Sequence, residues 1–370
     1  MELDPYRAVR ELLGDPSLPR SLRRLLDELD DDGIRLPLDA EALRLVLEEL
    51  DEVRRPPVHE GTQAFYGAFI CPQTGDMSVA PDLVETIDLD SSIETSRRFA
   101  DGRSTFVVRR PRSERTQLAC FRRTIQYEAD MVEVQRQTGA YIVQRTLAGT
   151  PRLFTDYGVV EWNGRQWTVR KRAQYLLATI DALVEGANRE ILAGILDLCV
   201  HWLSPARIGA TVLYDFDPRE DDAPSLDLDA AIDAPHLSVT SRHHYPALFA
   251  SLAQTDLAAL VGADGTIDKI GVGLRSSIES ERAVPQKGGM RHRSAARFTW
   301  DHHHTIAFVV SEDGPVTVFR EGRRVRISAK AADVDLEQAE VEVPTPEPAP
   351  QGCCGQPTTI DDVIETELSA

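Results

Sequence analysis

Three short stretches place polar residues where a strand or a helix would end: Thr255-Asp256-Leu257-Ala258, Gly288-Gly289-Met290-Arg291-His292-Arg293-Ser294-Ala295-Ala296, and Val310-Ser311-Glu312-Asp313-Gly314. A Gly-Gly pair that opens a helix offers free backbone N–H groups to an anion, and Arg291 and Arg293 in the first turn add fixed positive charge. That is the chemistry of a phosphate site. Asp256 at a strand start and Glu312 at a strand end are hard oxygen ligands for a divalent cation accompanying the phosphates. Taken singly, each feature also has an ordinary reading: arginines on a surface helix, an aspartate in a turn, a Glu-Asp-Gly hairpin tip. The run His302-His303-His304 can bind a transition metal, but adjacent imidazoles rarely converge on one ion, and a polar loop is the simpler reading.

The hydrophobic pattern predicts the elements that must hold these residues. Residues 208–216 and 258–261 read as strands, and residues 267–274 as the hairpin partner of the second across Ala263-Asp264-Gly265. Residues 244–252 and 291–298 read as helices, residues 306–310 as a strand, and residues 316–320 as a last arm around Asp313-Gly314. Together with helical periodicity over residues 173–203, this gives an α/β (α+β) domain over residues 173–332, a mixed central sheet flanked by helices.

Residues 1–57 ahead of it are helical. Leu18, Leu22, Leu25, Leu26 and Leu29 recur at helical spacing, as do Leu43, Val46, Leu47 and Leu50, and Asp39 stands as an N-cap. Arg54-Arg55-Pro56-Pro57 breaks the pattern. Residues 58–172 read as a small α+β module, a possible sensor, with strands at residues 64–70, 105–108, 141–146, 153–155 and 159–162. A helix with mixed faces runs through Leu118, Phe121, Ile125, Met131, Val132 and Val134, and Asn163-Gly164 is the strongest hairpin signal. Tyr66, Phe69, Trp162 and Trp167 either fill this module's core or line a pocket; its composition suggests no catalytic set.

A formal charge of -19 argues against general nucleic-acid binding, which needs clustered Lys and Arg. After Lys330 there are ten acidic residues and no basic one, with a Pro-rich run from Pro344 to Pro357, so residues 333–370 read as a disordered tail carrying Cys353-Cys354. Five cysteines at scattered spacings form neither a disulfide framework nor a zinc pattern, and Cys199 falls in an apolar helical stretch as a core residue. No apolar run reaches bilayer length and the first residues are charged, so the expected location is the cytoplasm, without a membrane contact.

In their order, these stretches resemble the diadenylate cyclase (DAC) family, including the nucleotide-binding domain of the DNA integrity scanning protein. The family's strand with Ile-Gly-Ala, its Leu-Ser pair, its Asp-Gly-Ala, its Gly-Thr-Arg-His-Arg-x-Ala and its strand ending Val-Ser-Glu-Glu find counterparts in order. They are Ile208-Gly209-Ala210, Leu237-Ser238, Asp256-Leu257-Ala258, Gly289-Met290-Arg291-His292-Arg293-Ser294-Ala295 and Val310-Ser311-Glu312-Asp313. The resemblance implies condensation of two ATP into cyclic di-AMP and two pyrophosphates by two subunits facing each other, with Mg²⁺ or Mn²⁺ as cofactor. It implies catalytic roles for Asp256, Arg291 and Arg293, and metal ligation by Asp256 and Glu312. It also implies nucleotide contacts from Asp256, Leu257, Ala258, Gly289, Met290, Arg291, His292, Arg293 and Ser311, and a homodimer or higher homo-oligomer. His292 can equally be a structural hydrogen-bonding residue.

Two positions depart from the family. Leu257 replaces a glycine and is expected to narrow the ribose site; Met290 replaces a threonine and removes a hydroxyl. Two functions therefore stand side by side: a cyclase making cyclic di-AMP, and a weakened or inactive sensor domain that binds ATP or a cyclic dinucleotide.

Overall fold

The computed structural model describes residues 5–56, 58–59, 62–63, 65–71, 84–113, 115–122, 124–125, 127–146, 148–181, 186–217, 226–284, 289–312 and 316–325. The described residues all belong to one compact unit. The acidic tail with Cys353-Cys354, Gly288 and the Asp313-Gly314 tip lie outside the described residues. No helix among the described residues is long and apolar enough to cross a membrane.

The chain opens with helices α1 (Pro5–Gly14), α2 (Arg20–Asp31) and α3 (Ala40–Arg54), the last capped by Asp39, which accepts a hydrogen bond from Ala42 N at 2.8 Å. Strands β1 (Val58–His59) and β2 (Thr62–Gln63) pair with each other. An eight-stranded sheet follows: β3 (Tyr66–Ile70), β4 (Val84–Leu89), β5 (Thr105–Arg109), β6 (Thr116–Phe121), β7 (Tyr141–Arg145), β8 (Pro151–Phe154), β9 (Gly158–Trp162) and β10 (Trp167–Lys171). Two helices interrupt it, α4 (Ile93–Ser96) and α5 (Glu128–Thr138). The spatial order is β10-β9-β8-β7-β3-β5-β6-β4, antiparallel except for β3 beside β5.

Neighbouring residues along these strands point to opposite faces, and both faces are covered. Ala68, Val107, Val143 and Leu153 share a core with Leu25, Leu29, Val46 and Leu50 of the opening helices. Phe69, Phe106, Ile142 and Phe154 pack instead against Met131 and Val134 of α5. Phe69 and Trp167 are buried, and Tyr66 donates its hydroxyl proton to the buried Glu49 at 2.6 Å, so these aromatics fill the core. Leu118 and Phe121 are not helical: they lie in β6, between β4 and β5. Their spacing from Ile125 mimics a helical stripe, but non-local pairing on both sides sets the conformation.

The second sheet is entered through α6 (Ala173–Asp181) and α7 (Arg189–Leu198), which runs into a π-helical turn, Cys199–Leu203. Its strands are β11 (Ala210–Asp215), β12 (Leu226–Asp227), β13 (Ile232–Asp233), β14 (Ala258–Val261), β15 (Ile267–Leu274), β16 (Thr305–Val310), β17 (Thr317–Arg320) and β18 (Arg323–Arg324). Helices α8 (Tyr245–Leu252), α9 (Ile278–Ala283) and α10 (Met290–Asp301) lie between them. The order is β12-β15-β14-β11-β16-β17-β18, with β13 also on β15. Val212, Tyr214, Ile306 and Phe308 share a core with α7, and Leu213, Ala307 and Val309 with Ala295 and Phe298 of α10. This is the mixed sheet between helices that the sequence predicts.

The start of α5 is embedded in the second half of the molecule. Tyr127 stacks on Trp202 with ring centroids 3.9 Å apart. Glu128, buried, takes Arg170 Nη1 at 2.6 Å and Nη2 at 2.8 Å on its two oxygens, with Arg152 Nη1 at 3.3 Å and His201 Nδ1 at 3.2 Å. Ala173 N–H donates to His201 Nε2 at 3.3 Å, which leaves the imidazole proton on Nδ1, facing Glu128. Burial raises the Glu128 pKa, but Arg170, His201 and Arg152 outweigh it and hold the carboxyl far below the ordinary range.

Truncating one partner of such a buried cluster leaves uncompensated charge, so Glu128→Ala is expected to cost about 3–5 kcal/mol in urea unfolding. Because the folded pKa is depressed, the stability Glu128 contributes is complete above its unfolded value of about 4.3 and is lost as pH falls below that. A variant unfolding with the wild-type midpoint and the same acid dependence would contradict the role assigned to Glu128.

Candidate functional site

The register of three central strands brings the polar stretches together. β11 runs parallel to β14, with Thr211 opposite Ala258, and antiparallel to β16, with Ala210 opposite Val310. The start of β11, the start of β14 and the end of β16 therefore fall at one end of the sheet. Gly209 precedes the first, Asp256-Leu257 the second, and Ser311-Glu312 follow the third.

Helix α10 delivers the cationic residues to the same end. Its buried residues Ala295, Ala296, Phe298 and Thr299 form the stripe that faces the sheet. Arg291 lies one turn before Ala295 on that stripe. Its Nη2 stands 3.4 Å from Asp256 Oδ1 and its Nη1 3.3 Å from Glu312 Oε1. One guanidinium thus bridges both carboxylates.

Gly209 makes room for it. A Cβ on Gly209 would collide with Arg291 Nη1, so the Ile-Gly-Ala glycine is the floor beneath the guanidinium. The sequence reading placed Gly209 in a motif without assigning it a role; the clash appears only once α10 is seated on the sheet.

Gly289 is the N-cap of α10 and has no side chain to cap with, so the first-turn N–H groups lack the usual side-chain acceptor. Gly289 O accepts from Arg293 N at 3.1 Å, which fixes the first turn. Met290 is 76% exposed. Arg293 is half-buried in the same first turn of the helix. His292 packs edge-on to Phe319, centroids 5.9 Å apart, and burial together with Arg324 lowers its pKa. Its ring therefore lies toward β17 rather than toward the carboxylates. Ser238 closes a turn, with its Oγ donating to Gly265 O at 3.1 Å and its N–H to His244 Nδ1 at 2.9 Å.

Asp256 is 91% and Glu312 65% exposed. Among the described residues there is no group of three or more His, Cys, Asp or Glu side chains arranged around a metal position. The two carboxylates at Arg291 are the hard-oxygen donors the site offers. His302 and His304 are buried at the end of α10, away from these strand ends.

Leu257 has φ +74°, in the left-handed region, and is 51% exposed. The backbone here has the conformation a glycine adopts freely, although the residue is leucine. The adjoining β14–β15 ladder shifts register between Ala258 and Ala259, and Gly271 on the facing strand also has positive φ, +82°.

Residues 198–324 match the family model described as DisA bacterial checkpoint controller nucleotide-binding. This part of the chain is similar to the DAC family. Residues 23–170 match a second family model, described as probable sensor domain DACNK. No curated protein matches. Among solved structures, a hypothetical membrane spanning protein from Bacillus cereus aligns at 22% identity over 33% of this chain and 56% of that one, with a TM-score of 0.26. DacA from Staphylococcus aureus, as a double mutant, aligns at 17% identity over 42% of this chain and 85% of that one, with a TM-score of 0.27. The chain thus spans little more than half of the Bacillus cereus protein.

Two substitutions probe the DAC-like site without altering its charges. Leu257→Gly relieves a left-handed leucine, about 1–2 kcal/mol, against about 0.4–1 kcal/mol of added unfolded-chain entropy. The variant is expected to be as stable as wild type or up to about 1.6 kcal/mol more stable in urea. Destabilisation beyond about 1 kcal/mol would show that the exposed Leu257 side chain carries packing. Gly209→Ala should displace the flexible guanidinium rather than the backbone, leaving the unfolding midpoint close to wild type.

Proposed function

We propose that the sheet end bearing Asp256, Arg291, Arg293 and Glu312 binds ATP, and that two such sites facing each other across a subunit pair condense two ATP into cyclic di-AMP and two pyrophosphates. The observation that carries this reading is the single guanidinium of Arg291 bridging Asp256 and Glu312 beside the uncapped start of α10. Magnitudes favour phosphate over the carboxylates as its partner. The two bridges are long and exposed, a class worth about 0–1 kcal/mol, whereas a charge-assisted bond to a phosphate oxygen contributes about 1.5–3 kcal/mol.

In this reading Arg291 and Arg293 hold phosphate oxygens and neutralise the charge that develops as the α-phosphate is attacked. The N–H groups that follow Gly289 take a further oxygen. Met290, Leu257, Ala258 and Ser311 border the nucleotide, and His292 supports the helix from behind. Asp256 orients the 3′-hydroxyl and accepts its proton as the hydroxyl oxygen bonds to the α-phosphorus of the opposite ATP and pyrophosphate leaves. Once Arg291 turns to phosphate, Asp256 and Glu312 are free oxygen donors. Two carboxylates with phosphate oxygens and water are a fitting ligand set for Mg²⁺ or Mn²⁺, which would polarise the phosphoryl group.

A non-catalytic sensor domain reading ATP or a cyclic dinucleotide is the second reading, and Leu257 favours it: a half-exposed side chain stands where a glycine would leave the ribose room. Both readings require binding. Arg291→Ala combined with Arg293→Ala is expected to weaken ATP or cyclic di-AMP binding by at least about 2 kcal/mol in calorimetry, and equal affinities would remove the site. Cyclisation further requires the pair, so specific activity should rise with enzyme concentration over the range in which subunits associate. Product formation by a strict monomer at a constant specific rate would contradict the facing arrangement.

A further inference from the structure

A cavity of about 210 Å³ lies between α5 and α7, and none of its lining residues belongs to the nucleotide site. Arg136, Arg172, Arg242 and His201 line it. Two of the arginines are neutralised locally: Arg136 Nη2 pairs with Glu133 at 2.7 Å, and Arg242 Nε with Asp197 at 2.9 Å. His201 uses one nitrogen for Ala173 N–H and the other for Glu128.

Arg172 is different. It is only 4% exposed, and its Nη2 donates to two neutral acceptors, Gln135 Oε1 and Thr155 O. Among the described residues its buried Nε has no acceptor, and no carboxylate lies within ion-pair distance of it. A guanidinium buried in this way forfeits several kcal/mol of hydration unless an anion replaces the water. Burial pushes the Arg172 pKa down and Arg136 adds to this, while Asp156, Tyr175 and Glu133 oppose it from beyond ion-pair distance.

We propose that this cavity binds a small oxyanion, a carboxylate- or phosphate-bearing metabolite, with Arg172 as its principal charge partner. The planar guanidinium matches carboxylate and phosphate oxygens, and the volume is below the about 300–1,000 Å³ of sites for drug-sized ligands, so a nucleotide does not fit. The walls come from both halves of the molecule: Val132, Glu133 and Arg136 from α5, Ala193 and Asp197 from α7. An anion held here ties α5 to α7, beside the link that Glu128 makes through His201 to the π-helical turn following α7. The site stands independently of the nucleotide reading.

The test is thermal unfolding of the full chain with inorganic phosphate, succinate or citrate, each against chloride at equal ionic strength. At least one of the three should raise the wild-type Tm beyond chloride. That rise should vanish in Arg172→Gln, shrink in the double variant Arg136→Gln with Arg242→Gln, and persist in Arg291→Ala with Arg293→Ala. Should Arg172→Gln fail to fold, the Arg136/Arg242 pair decides, because removing those cations leaves Glu133 and Asp197 to repel the anion. No rise with any of the three anions, a rise undiminished in the cavity variants, or a rise lost in the Arg291/Arg293 variant alone would each overturn the proposal.

Discussion

The pairing of β11 with β14 on one side and β16 on the other is the constraint on which the candidate site depends. Asp256 and Glu312 are 56 residues apart in sequence and share no local element. They meet at one guanidinium because a parallel partner begins, and an antiparallel partner ends, where β11 begins. A one-residue slip in either ladder would turn Ala258 or Val310 to the other face and carry the adjoining carboxylate away from Arg291. The core holds the register: Leu213, Ala307 and Val309 must meet α10 while Val212, Ile306 and Phe308 meet α7.

Glu128 plays the corresponding part between the two halves of the compact unit. Its carboxylate belongs to α5, its arginines to β8 and β10, and its histidine to the π-helical turn that follows α7. The stacked Tyr127 and Trp202 rings sit beside it, and Trp202 in turn contacts Tyr245 of α8, with centroids 5.5 Å apart. A contiguous chain of packed and hydrogen-bonded groups therefore runs from the first sheet into the second. Such a chain is a physical route for coupling, and the cavity beside Arg172 lies along it.

The sequence made some of this legible and concealed the rest for identifiable reasons. Asp39, at the head of a leucine-periodic run, announced the start of α3 because capping is local. The short apolar runs of β11 and β16 and the glycine before α10 are likewise local signals, and they locate the strand ends. Thr116–Phe121 was misread because Leu118, Phe121 and Ile125 fall at helical spacing, while the deciding interactions are ladders with Thr105–Arg109 and Val84–Leu89. Val84–Leu89 went unpredicted: Glu85, Thr86, Ile87 and Asp88 are exposed, as suits an edge strand, and such a pattern reads as loop. Glu128, Arg152, Arg170 and His201 carry no local signal, because they are far apart in sequence and only the folded chain places three of them around the first. Leu257 stood out as a departure from the resembling family, but only the backbone shows that it keeps the left-handed conformation natural to glycine.

The central claim is that this sheet end carries out chemistry on adenine nucleotides, and the products of ATP test it most directly. Purified full-length protein incubated with ATP and Mn²⁺, alongside Leu257→Gly and Asp256→Asn, should be followed by mass analysis of the nucleotides and by release of pyrophosphate. The account predicts one cyclic di-AMP and two pyrophosphates for every two ATP consumed, faster turnover in Leu257→Gly, and none in Asp256→Asn. If wild type and Leu257→Gly both bind ATP, fold and pair, yet yield no cyclic di-AMP, the cyclase reading is contradicted and the sensor reading stands.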